Sequence, residues 1–143
     1  MRNPSIARLG LGLLFASSLL IGLTATAFPQ TFYEDFPFVA HWVNLLPPYN
    51  EHLVTDVGGL YLGFAVLFAW AARTLEQTLT RAICVAWLLT ASLHLVFHAG
   101  HLEGFNTADA VGELASLSLL VGAPIVVLWA SRPDFPPPNS PRP

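Results

Sequence analysis

The chain has 143 residues, enough for one domain, of which 54% are hydrophobic and only 10% charged, with a formal net charge of -3. A mean hydropathy of +0.57 excludes an ordinary soluble domain, which carries about 25% charged residues, and points to an integral membrane protein. Every basic residue except histidine is arginine, the net charge is negative, and nucleic acid is excluded as a partner; the single Cys84 excludes an intrachain disulfide and a cysteine-rich metal site.

Taken in order, Met1 to Arg8 carries Arg2 and Arg8, and Leu9 to Ala27 then runs apolar without a charge. With Ile6 and Ala7 this makes a first span over about residues 6–27, since a crossing needs about 20 residues. The same segment has the form of a signal peptide, with Ala25-Thr26-Ala27 as an A-x-A-like cleavage site. The apolar run is long for that purpose, which favours a retained first helix. Phe28 to Asn50 is a long loop rich in aromatic residues and proline. Within it Phe38 to Leu46, between Pro37 and Pro47-Pro48, is expected as a short helix lying on the membrane as a lid. Tyr33, Trp42 and Tyr49 suit an interface, where a ring keeps one end wet.

The second span covers residues 51–72 and contains Gly59-Leu60-Tyr61-Leu62-Gly63, a GxxxG spacing that would admit a neighbouring helix closely. Arg73 to Arg81 reads as a polar turn. The third span covers 82–100, and the fourth 110–130, with Pro124 in its second half, where it removes a backbone donor. Residues 1–130 thus form one four-helix membrane domain, and 131–143, with six of the twelve prolines, form a proline-rich cytoplasmic tail. The fold class expected is all-α: a four-transmembrane-helix bundle with both termini cytoplasmic and an extracytoplasmic interfacial loop or short helix between the first two spans.

Four spans put both chain ends on one side, with Arg2, Arg8, Arg73, Arg81, Arg132 and Arg142. The positive-inside rule makes that side cytoplasmic and the membrane the plasma membrane. The opposite side collects His41, His52, His94, His98 and His101 with seven carboxylates: Glu34, Asp35, Glu51, Asp56, Glu103, Asp109 and Glu113. Asp56 and Glu113 each sit about a turn inside a span, where a charge is expensive and usually partnered.

His94, His98 and His101 stand at i, i+4 and i+7, within roughly 60° of one another on a helix. Span two offers Glu51, His52 and Asp56, and span four Asp109 and Glu113, at the same end. Imidazole and carboxylate ligands without thiolate suit zinc, iron, manganese or copper. The expected metal ligands are His52, Asp56, His94, His98, His101 and Glu51, with Glu113 as a further ligand or catalytic proton acceptor. The alternative for the same residues is a structural network of solvated or hydrogen-bonded histidines and carboxylates. No GxGxxG, P-loop or GxSxG is present.

Arg8 to Phe15 (RLGLGLLF) and Asp56 to Gly63 (DVGGLYLG) resemble the first and second spans of the DoxX-like small four-helix membrane proteins. The resemblance covers the first half of the chain. It implies a compact four-helix bundle and, for some members, association with membrane redox enzymes and quinone. The histidine stripe lies outside it, so no catalytic role carries over.

The function expected is that of a membrane protein with an extracytoplasmic histidine/carboxylate transition-metal site, a metal-dependent oxidoreductase acting on a lipophilic molecule from the bilayer. The alternatives are a metal-binding or transport protein, or a non-catalytic accessory subunit of a membrane complex. Transport is the less favoured, since residues 64–72 and 82–89 offer no acidic or basic side chain for a path across.

Overall fold

A computed structural model describes residues 3–46 and 48–132. The tail beyond Arg132, with Asp134 and Arg142, lies outside the described residues, as do Arg2 and Pro47. The described chain is all-helical, with α1 Pro4–Ala27, α2 Pro29–Asp35, one 3-10 turn Val43–Leu45, α3 Glu51–Thr74, α4 Gln77–Ala99 and α5 Thr107–Ala130; no strand occurs among the described residues. Four of these, α1, α3, α4 and α5, are long and apolar enough to cross a membrane.

Each long helix starts where a side chain can satisfy its first free amides. Asn3, Asn50 and Asn106 cap α1, α3 and α5, accepting from Ile6 N, Leu53 N and Asp109 N at 3.3, 3.1 and 3.0 Å. Glu76 caps α4 with both carboxylate oxygens, accepting from Thr78 N at 2.8 Å and Leu79 N at 2.6 Å. Those amide bonds, Leu79 first, hold the Glu76 carboxyl below its ordinary range. This cap starts α4 at Gln77, so the polar turn expected over Arg73 to Arg81 shrinks to Leu75 and Glu76, with Leu75 left-handed at φ 51°. The helix expected over Phe38 to Leu46 is reduced to the 3-10 turn Val43–Leu45, and a further helix, α2, precedes it. Pro29 opens α2 at the first helical position, where its missing amide is not needed, whereas Phe38 and His41 have φ of 70° and 48° and cannot be helical.

The long helices form a ring in the order α1, α3, α4, α5, and α1 closes it by packing on both α3 and α5. Closest approach is set by glycine. A side chain at Gly58 would meet the Thr26 backbone nitrogen at 2.8 Å, and one at Gly22 the Leu62 nitrogen at 2.9 Å. Gly59 and Gly63 face open space, so the GxxxG is not the contact within the chain; the neighbouring Gly58 is.

The core lies toward the end where the start of α1 meets the end of α5, and Asn3 N donates there to Ala130 O at 3.0 Å. Leu11, Leu14, Phe68, Ile83, Cys84, Trp87 and Val127 fill it. Phe64 and Phe68 set their rings against the Trp87 indole at 5.1 and 5.2 Å, near perpendicular. The indole N–H donates to Leu120 O at 3.0 Å. That carbonyl is free because its helical partner would be the amide of Pro124, which proline lacks. Outward positions remain apolar: Leu9, Leu60 and Val96 are 77%, 68% and 71% exposed. Such a surface is what hydrocarbon would cover.

Candidate functional site

The end of the bundle opposite Asn3 and Ala130 gathers the close of α1, the start of α3, the close of α4 and the start of α5. His98 lies one residue before the end of α4, and Glu113 in the second turn of α5. These two side chains meet across the helix pair, with Nδ1 and Oε1 2.5 Å apart and side chains only 7% and 5% exposed. The approach is short but off the hydrogen-bonding direction. His98 Nδ1 and the second carboxylate oxygen, Glu113 Oε2, are both buried without a hydrogen-bond partner among the described residues.

His94 sits one turn deeper on α4. Its ring stands edge-on to His98 with centroids 4.4 Å apart, and it borders a cavity between α3, α4 and α5. Above Glu113 the aromatic loop folds back onto α5. A side chain added at Gly112 would meet the Trp42 ring at 3.1 Å, so this glycine is what allows the indole to lie on the helix. The loop itself is tied to the Glu34 carbonyl, which accepts from Asn44 Nδ2 at 2.9 Å and lies 3.0 Å from His41 Nδ1. Trp42 and Gly112 carried no functional signal in the sequence; the adjacency of Gly112 to Glu113 was the only available hint.

The other expected ligands are placed elsewhere. His52 and Asp56 pair with each other at 3.4 Å, as their i, i+4 spacing allows, but with side chains 86% and 60% exposed. Glu51 is exposed in the first turn of α3. His101 falls beyond the end of α4, stacked on Phe97 at 4.1 Å with Nδ1 2.7 Å from the Phe97 carbonyl. Asp109 accepts a side-chain hydrogen bond from Asn106 at 2.5 Å. Of the expected set, His98 and Glu113 come together, with His94 alongside. Among the described residues no three His, Cys, Asp or Glu side chains form a group able to hold a metal ion.

The fold and this end of it define a class: among the described residues, an all-helical chain with four membrane-length helices and one buried imidazole–carboxylate pair joining two of them. No protein-family model matches the chain, and comparison with curated proteins and with solved structures returns no match.

Proposed function

We propose that the protein is integral to the plasma membrane with both termini cytoplasmic, and that His98 and Glu113 form a proton-exchanging site at its extracytoplasmic side. The site serves oxidation–reduction chemistry on a lipophilic molecule. The observation that carries the reading is the His98–Glu113 pair itself, buried inside two apolar helices with one carboxylate oxygen unpartnered. An ionisable pair at such a position is costly to keep and is functional by default. A histidine and a carboxylate in contact can hold one proton or two, which is the requirement for delivering or accepting a proton where water is scarce.

A metal-dependent form of this reading is favoured by the same unpartnered atoms, because a cation would engage both His98 Nδ1 and Glu113 Oε2. His94 is the nearest further nitrogen donor. Iron or copper would supply the electrons; zinc would instead activate water. Recruitment of His52, Asp56, Glu51 or His101 would require these exposed side chains to move. The resemblance to DoxX-like proteins, if it reflects kinship, would add a quinone and a redox complex as the setting.

Two measurements on purified protein test the proposal. Infrared spectra across a pH titration should show a carboxyl band that Glu113→Gln removes and His98→Leu displaces. Metal analysis after loading with iron, copper or zinc should find stoichiometric metal that a His98→Ala/Glu113→Ala variant lacks. A protein with no titrating carboxyl band refutes the proton site, and one that retains no metal refutes the metal-dependent form. Exchangeable metal without turnover would mark a carrier, and a co-purifying partner an accessory subunit.

A further inference from the structure

The seam between α3 and α4 is the loosest in the ring, since α3 packs chiefly on α1 and α4 on α5. A cavity of about 280 Å³ lies in this seam and is closed at the back by α5. Its walls are Leu60, Tyr61 and Phe64 from α3 and Trp87, Thr90 and His94 from α4. Leu60, at the rim, is 68% exposed on the outer surface of the bundle, so the cavity is reached from the side rather than from either end.

The lining combines two chemistries. Tyr61 and Phe64 stand edge-on to the Trp87 indole, at 5.6 and 5.1 Å, and form an aromatic wall. The indole N–H is already engaged with Leu120 O, and the Thr90 hydroxyl donates to Trp87 O at 3.0 Å, leaving its oxygen able to accept. His94 and the Tyr61 hydroxyl differ from both. Neither makes a hydrogen bond to any described residue, although each borders the cavity on an apolar helix, Tyr61 half-buried and His94 exposed at the open side of the seam. Such groups are costly in hydrocarbon and are stabilised by a partner that brings its own polar atom.

The geometry points to a binding site for the ring end of a lipid-dissolved compound that carries a hydroxyl or carbonyl oxygen. The ring lies against the Trp87 wall, the oxygen meets His94 or Tyr61, and any hydrocarbon tail leaves past Leu60 into the bilayer. The volume, just below the roughly 300–1,000 Å³ of typical ligand pockets, suits one or two fused rings and not a larger molecule. This inference stands without proton exchange at His98 and Glu113, because recognition requires only the wall and the unpartnered groups.

Calorimetry on the full chain in nanodiscs, with 2-naphthol and 2-methylnaphthalene, separates the two chemistries, since the compounds share a shape and differ in the hydroxyl. Wild type should bind 2-naphthol roughly five- to ten-fold more tightly than 2-methylnaphthalene, the ratio expected of one added hydrogen bond. His94→Leu should abolish that preference while leaving 2-methylnaphthalene binding within about two-fold, provided Tyr61→Phe is combined with it. Ala91→Leu, which narrows the cavity wall, should weaken both compounds. Equal binding of the two compounds by wild type overturns the proposal and marks a gap filled by lipid chains. Retention of the preference in the His94→Leu/Tyr61→Phe variant overturns it as well. The infrared titration of Glu113 is unaffected by either outcome, so failure here is distinguishable from failure of the proton site.

Discussion

At the scale of single residues, His98 and Glu113 are the side chains whose placement matters most. Each is an ionisable group buried in an apolar helix, and each has the other as its opposite-sign neighbour at 2.5 Å. Removing one partner strands the other, at a cost of about 3 kcal/mol or more, whereas replacing both with apolar residues is far milder. His98→Leu and Glu113→Leu should therefore each lower unfolding free energy in mixed micelles by about that amount, and the double variant should recover most of it. Additive losses would show that the two do not act as a unit. The sequence singled out both members of this pair, but among a larger set and without showing that these two meet. The i, i+4 spacing put His94 and His98 on one face, and they do lie together. His101 continues the spacing but lies past Ala99, where the helix has stopped and the stripe with it. His52 and Asp56 failed for a different reason. Gly58 packs on α1, and Asp56 lies two residues, roughly 200° around the helix, from it. Because α3 is apolar on nearly every face, the pattern of hydrophobic residues did not reveal which side turns inward.

At the scale of helices, all four long elements were legible from apolar length alone, and the errors lay at their ends. The starts were written in capping residues. Asn3, Asn50, Glu76 and Asn106 each sit one position before a helix, and giving them weight would have placed the beginning of α4 at Gln77 rather than residue 82. Pro124 was legible as a lost donor, but its consequence was not, since the remedy comes from Trp87 on another helix. This gives α4 and α5 a specific coupling. Trp87→Phe should cost about 1 kcal/mol in the lost hydrogen bond, in addition to its packing. In a Pro124→Ala background the restored amide can bond to Leu120 O, and the hydrogen-bond part of that cost should disappear. A double-mutant cycle measured by detergent unfolding tests it: a coupling free energy near zero would mean that the indole contributes by packing only.

At the scale of the whole molecule, the two ends of the bundle differ in charge, and that difference carries the proposed orientation. Arg8, Arg73, Arg81 and Arg132 lie toward the end where Asn3 meets Ala130, and the Arg8 Nε donates to Ala72 O at 3.4 Å. The opposite end has His98, Glu113 and the exposed carboxylates of the loops, with no arginine or lysine among its described residues. Insertion favours arginine on the cytoplasmic side, so the histidine end should face outward. Cys84 is fully buried, which leaves the protein simple to probe. In a Cys84→Ala background, Glu103→Cys places a thiol in the loop after α4, and Thr74→Cys places one at the last residue of α3, before the turn to α4. A membrane-impermeant maleimide added to intact cells should label Glu103→Cys and leave Thr74→Cys untouched, and inverted vesicles should reverse the pattern. The opposite labelling would put His98 and Glu113 on the cytoplasmic face. The proton exchange proposed for them would then draw on the cell interior, and the site could not serve as an extracytoplasmic one. Labelling of both positions from one side would remove the four-span arrangement itself, because the two loops are separated by the length of α4.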